Sequence, residues 1–246
     1  MSKIFGRNPV AEALESKQAI DKIYLQTGSQ GAVIRKIYRM AKEQHIPVVQ
    51  ADRRKLAQMS DGGKHQGVIA LLSLLPYISL ADLVDKINRT GETPNLVVVD
   101  RINDPHNFGA IIRSAEVLGA HGIIFSVKES VPITETVIKA SAGAVFHLDM
   151  CKARNIVDAV RYLKDCGIWI YSSSSHSEKK LWQIDFSKPQ AIIVGSEGKG
   201  VRRLLQKESD QTFQIPQGGK TESLNASVAA GIILAEVRRQ RTSGGL

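Results

Sequence analysis

The sequence predicts an α/β protein in which a small amino-terminal α/β domain precedes a larger domain with a parallel sheet. Short apolar segments alternate with helical segments along most of the 246 residues, which is typical of this class. From residue 95 onwards the predicted strands are apolar at almost every position, as expected of a sheet buried on both faces. The composition, 43% hydrophobic and 23% charged, is that of a globular protein and excludes disordered and fibrous classes.

Membrane, secretory and metal-binding classes receive no support from the sequence. No apolar stretch approaches the roughly 20 residues that a membrane helix needs, and the first 16 residues lack the apolar core of a secretion signal. Cys151 and Cys166 stand alone, at a spacing that matches neither a disulfide framework nor a zinc site. We therefore expect a cytoplasmic protein without a membrane partner or a bound metal.

The amino-terminal domain is predicted over residues 1–75. Within 32–44 the apolar side chains recur at helical spacing, and the opposite face of that helix is entirely basic. The predicted helices are 8–16, 32–44 and 53–59, and the predicted strands are 22–26, 47–51 and 66–75.

Positive charge is concentrated in this first domain. The whole chain has a net charge of +9 and a pI near 9.6, which favours a polyanionic partner. The first 75 residues contain twelve Lys or Arg against six Asp or Glu, so two thirds of the excess lies in less than a third of the chain. Solvated basic surface is the alternative explanation. The asymmetry favours a division of labour, in which the first domain binds phosphates and the second performs chemistry.

Residues 76–94 are predicted to be a linker, because they contain only one polar helix, 80–89, closed by Gly91 and Pro94. Strands and helices then alternate through the larger domain, residues 95–246. The predicted strands are 96–99, 122–126, 146–150, 168–171, 191–194 and 214–215, and the predicted helices are 109–118, 134–140, 155–164, 201–207 and 224–241.

Three polar, glycine-containing loops follow strands of this domain, where open α/β sheets bind ligands. In the first loop, residues 100–113, Asp104 and Asn107 can cap the next helix and Gly109 permits close approach. Arg113 lies in the early turns of that helix. A surface ion pair with Glu116 is the alternative role for this arginine.

The second loop, residues 195–200, is rich in glycine but fits no nucleotide-binding motif. A tight turn between strand and helix, or a phosphate site in a nucleotide-binding enzyme, would each explain it alone. The third loop, within residues 215–229, places serines and Asn225 before an apolar helix. Capping explains Ser223 or Asn225 individually. It does not explain why three such loops occur in one half of the chain.

Taken in order, the three loops resemble the signature motifs of the SpoU-class RNA 2′-O-ribose methyltransferases, the TrmH family of the SPOUT superfamily. The matching positions are Asn107, Gly109 and Arg113 in the first motif, Gly195, Glu197, Gly198 and Gly200 in the second, and Ile215, Pro216, Ser223, Leu224, Asn225, Ser227, Val228 and Ala229 in the third. Residues 6–14 and 65–67 are similar to the amino-terminal substrate-binding domain of that family, which itself resembles ribosomal protein L30e. The resemblance covers essentially the whole chain.

The resemblance implies a fold, a cofactor and an assembly. The carboxy-terminal domain is expected to contain a deep trefoil knot that binds S-adenosylmethionine. The implied cofactor-binding residues are Gly195, Glu197, Gly198, Ile215, Leu224 and Asn225. A homodimer is implied too, in which the motifs of one protomer complete the site of the other. The apolar helix at 224–235, with Arg238, Arg239 and Arg241 following, is a candidate for that contact. An intramolecular core helix is the alternative.

By the family pattern Arg113 is the principal catalytic candidate, positioned by Asn107, with Glu197, Ser223 and Asn225 shaping the site. An arginine, with a pKa above about 12, is a poor general base at neutral pH. We therefore expect Arg113 to engage an RNA phosphate and the ribose 2′-hydroxyl together, acting by electrostatic orientation.

The implied reaction is methylation of a guanosine 2′-oxygen in bacterial large-subunit (23S) rRNA. Guanosine methylation of tRNA, or a non-enzymatic role in rRNA binding and ribosome assembly, are the alternatives. The basic residues of the first domain are expected to contact the RNA phosphates. They are Arg35, Lys36, Arg39, Lys42, Arg53, Arg54 and Lys55.

Overall fold

The computed structural model describes residues 3–44, 46–126, 128–219 and 223–243, and it contains two compact units. The first unit contains the chain up to Pro76 together with Pro132–Thr134, and the second contains Tyr77–Val131 and the chain from Glu135 onwards. Within the described ranges no helix is both long enough and apolar enough to span a membrane.

The first unit is a mixed four-stranded sheet covered by three helices. Its strands are arranged in the order β1-β4-β2-β3, with β2 and β3 parallel and the other pairs antiparallel. In chain order the elements are β1 (Lys3–Phe5), α1 (Arg7–Glu15), β2 (Ile20–Gln26), α2 (Ala32–Glu43), β3 (Val48–Ala51), α3 (Arg53–Met59) and β4 (Val68–Leu72).

Alternation along β2 explains why helices cover both faces of this sheet. Ile23 and Leu25 point to one face and join the core that α1 and α2 complete. Tyr24 points the other way and packs on a smaller cluster with Leu56 of α3. A strand with side chains of period two can serve two layers at once.

Most predicted elements of this unit are confirmed to within about two residues, and two points differ. The short strand β1 was not predicted, because three residues carry no usable alternation. The predicted strand 66–75 is shorter in the structure, since Gln66 and Gly67 both have left-handed backbone torsions (φ 47° and 83°) that interrupt an extended chain.

The second unit contains a six-stranded sheet in which all neighbouring strands are parallel, in the order β10-β8-β9-β5-β6-β7. This confirms the predicted α/β class. The elements are α4 (Leu80–Thr90), β5 (Asn95–Asp100), α5 (Pro105–Val117), β6 (Gly122–Phe125), α6 (Glu135–Ala140), β7 (Asp149–Lys152), α7 (Ile156–Asp165), β8 (Trp169–Ser173), β9 (Gln190–Gly195), α8 (Arg203–Glu208), β10 (Gln211–Phe213) and α9 (Ala226–Ser243).

Helices cover both faces of this sheet, so its central strand β5 is buried at every position. Leu96 and Val98 face a core shared with α7 and α8. On the opposite face α5 packs against α9. The segment predicted as a linker contains α4, whose residues Leu83, Val84 and Ile87 are buried in the same core as Val98. The apolar face of α4 is short, so the sequence alone does not show whether this helix packs against the sheet or lies in solvent.

Two predicted strands lie elsewhere. A strand was predicted at 146–150, but Phe146 ends a 3-10 turn (Ala144–Phe146) and is 59% exposed. The strand β7 starts only at Asp149. The strand predicted at 214–215 is β10, which precedes it at Gln211–Phe213. In both places an apolar residue beside the strand, Phe146 or Ile215, has the composition of a strand but lies outside it. The knot implied by the resemblance stays a prediction.

Register brings the first two loops to one edge of the sheet. β5 and β9 are adjacent and parallel, and Asp100 at the end of β5 lies opposite Gly195 at the end of β9. The chain therefore leaves both strands at the same level and in the same direction, so the loops that follow must share space above the sheet.

A buried carboxylate fixes this edge. The Asp100 side chain is fully buried and lies 2.7 Å from Arg202 Nε, while Arg202 N donates to Asp100 Oδ2 at 2.9 Å. The guanidinium also donates to both Glu129 oxygens, at 2.6 and 2.8 Å. Burial alone would lower the pKa of Arg202, but these bonds to acidic partners raise it above its ordinary value. Arg202 follows the second loop, so the pair ties that loop to the strand before the first.

Removing the Arg202 side chain should destabilise the protein, because the buried charge of Asp100 then lacks its principal partner. We expect Arg202→Met to lower the free energy of unfolding by about 3 kcal/mol, because Asp100 loses its principal partner inside the protein. The double variant Asp100→Asn, Arg202→Met should recover at least half of that loss. Urea unfolding measures both. Arg161→Met, which breaks a surface pair with Glu208, is the matched control and should change little. Equal losses in both arginine variants would contradict the role given to Asp100.

Gly109 allows α5 and α6 to pack at van der Waals distance. A Cβ at this position would lie 2.4 Å from the Ala140 Cβ and 2.9 Å from Ser141 N. Because backbone atoms of α6 form part of this contact, a side chain at 109 cannot be accommodated by a rotamer change alone. This glycine of the first motif therefore has a packing role.

We predict that Gly109→Ala lowers the thermal unfolding midpoint by about 2 to 10 °C, since overpacking typically costs about 1 to 3 kcal/mol. Gly231→Ala in α9 is the control, because its Cβ would meet only Ser114 Oγ at an ordinary 3.7 Å. That variant should be as stable as the parent or more so, since alanine is the better helix former. Differential scanning calorimetry decides, and an unchanged midpoint for Gly109→Ala would refute the packing argument.

Candidate functional site

Three polar side chains, one from each loop, meet above the carboxyl edge of the sheet. Asn107 Nδ2 donates to Glu197 Oε1 at 3.1 Å. Asn225 Nδ2 donates to Asn107 Oδ1 at 2.9 Å and also to Glu197 Oε1. These residues are 90 and 118 positions apart from Asn107 in the chain, so only the fold brings them together. We call this group the amide–carboxylate triad.

The first member is set by the start of α5. Asp104 is the N-cap and accepts from His106 N at 3.0 Å, and Pro105 occupies the first turn. Both features fix where a helix begins. Asn107 therefore sits in the first turn of α5, with its amide directed to the other two loops.

The second loop is held in a tight turn after β9. A Cβ on Gly195 would lie 2.2 Å from both Gly200 C and Val201 N, so only glycine allows the loop to fold back here. Gly198 and Gly200 adopt left-handed torsions (φ 72° and 60°), and Gly200 N donates to Ser196 O at 2.8 Å. Glu197 is exposed at the tip of this turn.

Asn225, the third member of the triad, caps a helix and also bonds to the other two members. Asn225 Oδ1 accepts from Ser227 N at 2.8 Å and from Ser227 Oγ at 2.6 Å, which caps the start of α9. Because the oxygen is occupied by these donors, the amide nitrogen must point to the triad. One side chain thus aligns α9 and supplies a donor to Glu197.

Arg113 lies on α5 but outside this triad. Its side chain is exposed, and within the described ranges it forms neither a hydrogen bond nor the ion pair with Glu116 that the sequence allowed. Asn107 bonds Glu197 and Asn225, so direct positioning of Arg113 by Asn107 is not seen. The guanidinium is therefore available to a ligand or to a second protein chain.

The residues implied for cofactor binding border the second and third loops. Ile215 is half-buried, and Ser223 and Leu224 are exposed; residues 220–222 of the third loop lie outside the described ranges. At Gly198, Gly200, Gly218 and Gly219 no atom lies within 4 Å of the place a Cβ would take. The backbone at these positions can be approached closely, and the third loop contains the apolar residues Ile215 and Leu224 as well as Gly218 and Gly219. This combination fits a flat, partly polar ligand.

The seven basic residues of the first unit do not form one uniform surface. Four lie on α2 and three on α3, helices that pack on opposite faces of the sheet. Lys36 pairs with Glu15, Arg39 lies 3.8 Å from Glu43, and Lys55 Nζ stands 5.4 Å from the centre of the Tyr24 ring. The excess of basic residues belongs to the first unit as a whole, while the individual contacts to RNA stay predictions.

Arg241 near the end of α9 was expected to accompany a contact between protomers, but the structure places it inside its own chain. Arg241 points into its own chain, donating to the carbonyl oxygens of Phe186, Thr93, Pro94 and Lys188. Burial lowers the pKa of this guanidinium. The helix is thus a core helix on the face that carries Ile233 and Val237, whereas Val228 and Ile232 are exposed.

The sequence did not identify the Asp100–Arg202 pair as part of this region. The available signal was an aspartate at the end of the most apolar strand, where an unpaired charge would be unfavourable. No spacing rule connects it with an arginine 102 residues later.

Comparison with known proteins agrees with this arrangement. The SpoU rRNA Methylase family matches residues 94–235, and the domain family described as RNA 2′-O ribose methyltransferase substrate binding matches residues 3–78. YacO of Bacillus subtilis, assigned to the TrmH family of tRNA/rRNA methyltransferases, is 36% identical over 98% of this chain and 97% of its own length. The uncharacterized tRNA/rRNA methyltransferase slr0955 of Synechocystis is 37% identical over 97% of this chain, which spans 62% of that relative.

Solved structures show the same fold. The SpoU methyltransferase AviRb of Streptomyces viridochromogenes, in complex with AdoMet, has a TM-score of 0.62 at 26% identity, covering 98% of this chain and 91% of its own. The AdoMet-bound rRNA methyltransferase of Sinorhizobium meliloti also scores 0.62 at 26% identity, covering 96% and 86%. The two matched domains, the full-length relatives and the convergence of the three loops lead to one conclusion: this chain belongs to the SpoU rRNA methylase family.

Proposed function

We propose that this protein is a cytoplasmic methyltransferase that transfers a methyl group from S-adenosylmethionine to a ribose 2′-oxygen of RNA. The amide–carboxylate triad carries the proposal, because it joins one polar residue from each of the three family motifs by hydrogen bonds. A protein that had lost the activity would have no need to retain all three. This arrangement also disfavours the purely structural, non-enzymatic alternative.

The second and third loops suit the cofactor. AviRb and the Sinorhizobium enzyme have been crystallised with AdoMet. The second and third loops here offer open backbone at Gly198 and Gly218, and the third loop also contains Ile215 and Leu224. Apolar side chains of this kind can hold a purine, while backbone N–H and C=O groups bind its polar edge. When bound, S-adenosylmethionine supplies the electrophilic methyl group.

The residues of the chain divide the remaining work. Arg113, exposed and without a described partner, orients the RNA by donating from its planar fork to a phosphate and to the 2′-oxygen together. Held near a positive charge, the 2′-hydroxyl gives its proton more easily to solvent water, which leaves its oxygen free to take the methyl group. Glu197 is fixed by two amide donors, so its carboxylate keeps one place as substrate enters. Asn107 and Asn225 position it.

The proposed substrate is a guanosine of 23S rRNA, with tRNA guanosine as the second candidate. The names of the relatives include both RNA classes. Which nucleotide of the RNA is methylated depends on the shape of the folded RNA. The basic first unit is suited to reading that shape.

Methyl transfer from labelled S-adenosylmethionine tests the proposal. Purified, unmodified 23S rRNA and tRNA are incubated in parallel with the protein, and the labelled nucleosides are then identified. We expect 2′-O-methylguanosine in the rRNA. Label in tRNA alone would reassign the substrate, and no label in either RNA would refute the proposed activity.

Substitution of Arg113 by lysine tests the orienting role. Lysine keeps the charge but loses the fork, so we expect kcat to fall at least about tenfold while affinity for S-adenosylmethionine is unchanged. Single-turnover kinetics and calorimetric titration measure the two quantities. Turnover equal to the parent enzyme would exclude bidentate orientation by Arg113.

We also propose that the protein is a homodimer. Val228 and Ile232 lie one turn apart on α9 and are 49% and 39% exposed, so they form an apolar stripe near the start of that helix. Val117 on α5, the helix that packs against α9, is another exposed apolar side chain, with 69% of its surface accessible. Apolar patches of this kind mark protein contacts, and Arg113 lies one turn before Val117.

A charge in the stripe should separate the protomers. We expect Val228→Lys to convert a dimer to a monomer in sedimentation analysis and to lower methyl transfer at least about tenfold. Leu204→Lys is the matched control, since Leu204 is 51% exposed on α8, outside the stripe. A parent protein that is a fully active monomer at assay concentration would refute the shared site.

A further inference from the structure

We propose that the first unit contains a groove for a single-stranded segment of RNA, with a phosphate pocket at one end and a base-stacking platform at the other. The inference rests on the proposed function, because it names the form in which that RNA substrate is held. It comes from two adjoining clefts whose key residues, Arg7, His65 and Tyr38, were not among the predicted RNA contacts.

The first cleft has a volume of about 740 Å³ and a basic lining. Arg7, Arg53, Lys64 and His65 reach it from three separate segments of the chain. The rest of its lining is glycine or neutral polar, and no acidic side chain contributes. A cleft with several cationic donors and no carboxylate suits an anion such as a phosphodiester.

Two of its donors are already oriented. Arg7 Nε donates to Gln66 O at 3.2 Å, and Arg7 N donates to Gln66 Oε1 at 3.0 Å. The two terminal nitrogens of the guanidinium have no hydrogen-bond partner in the described part of the chain. His65 Nδ1 accepts from Gly67 N at 3.1 Å, so in the neutral ring the proton is on Nε2. Donors held in advance lose little entropy when they bind.

The second cleft, of about 410 Å³, adjoins the first, because Gln26 and Ser29 line both. Its floor includes Leu25 and Ile34, which are buried. Tyr38 lines it and is 53% exposed, an unusual position for an aromatic residue on a helix. Arg35, Arg39 and Lys42 complete the rim.

This combination points to an unpaired base. An exposed aromatic ring among cationic side chains is the arrangement by which proteins stack single-stranded RNA. In a duplex the faces of the bases are covered by their neighbours, so only a loop or an open strand can place a base on Tyr38. A phosphate in the first cleft and a base in the second then belong to the same strand, with Gln26 and Ser29 between them.

Binding of a labelled 12-nucleotide single strand of mixed, unstructured sequence tests the groove, using the full chain and fluorescence anisotropy at fixed salt. We expect Tyr38→Leu, which loses the ring but keeps apolar volume, to weaken binding about tenfold. Tyr38→Phe keeps the stacking face and should bind within about twofold of the parent. Arg7→Gln should weaken binding and make the slope of log Kd against log salt shallower by about 0.7.

Lys17→Gln is the charge-matched control. Lys17 is exposed in the same unit and lines neither cleft, so its loss should leave the Kd within about twofold. Thermal unfolding shows whether each variant is folded. If Arg7→Gln unfolds, the comparison of Tyr38→Leu with Tyr38→Phe decides alone, because half of the Tyr38 surface is already in solvent.

Two results would overturn the groove: equal Kd values for Tyr38→Leu and the parent, or equal binding of a duplex of the same sequence. The proposed function is judged separately, by methyl transfer from the parent protein to 23S rRNA and tRNA. Transfer together with unaltered binding by the Tyr38→Leu and Arg7→Gln variants would refute the groove alone. If the Tyr38→Leu and Arg7→Gln variants bind more weakly but the parent protein methylates neither RNA, only the proposed methyltransferase activity is refuted.

Discussion

The buried contact between Asp100 and Arg202 is the constraint on which the arrangement of the second unit depends. A carboxylate with no exposed surface at the end of the central strand is tolerable only with a charged partner. Arg202, which is also bound by Glu129, provides that partner and lies immediately after the second loop. If the loop left the edge of the sheet, Asp100 would lose Arg202 and keep only Arg101, whose Nε lies 3.5 Å from Asp100 Oδ1, as a charged partner. Register between β5 and β9 then places the first loop beside it.

Several residues of the three loops hold the site together by packing or by hydrogen bonds. Asn225 caps α9 with its oxygen and donates to Glu197 with its nitrogen. Gly195 permits the return of the second loop, and Gly109 permits the contact of α5 with α6. These packing and hydrogen-bonding roles explain why the three motifs contain so many glycines and amides. Arg113 is different, since no hydrogen bond or ion pair in the described chain restrains it, which fits the proposal that it acts on a second molecule.

The two units differ in the kind of surface they present. The first has clefts lined by basic side chains and by the exposed Tyr38, suited to a long polyanion. The second has glycine loops and a small hydrogen-bonded cluster, suited to a compact ligand and one reacting group. Membership of the SpoU family is consistent with both, because its two domain families match these two parts of the chain.

The sequence by itself determined the α/β class, most element positions and the three loops, because apolar periodicity and glycine-rich turns are local properties. Resemblance then led from those loops to Asn107, Glu197 and Asn225. Only the tertiary structure decided the strand order, the burial of α4, the Asp100–Arg202 pair and the meeting of Asn107 with two residues 90 and 118 positions away. It also decided that Arg241 is internal and that Tyr38 borders a cleft. These facts depend on contacts between distant segments, which no local pattern encodes.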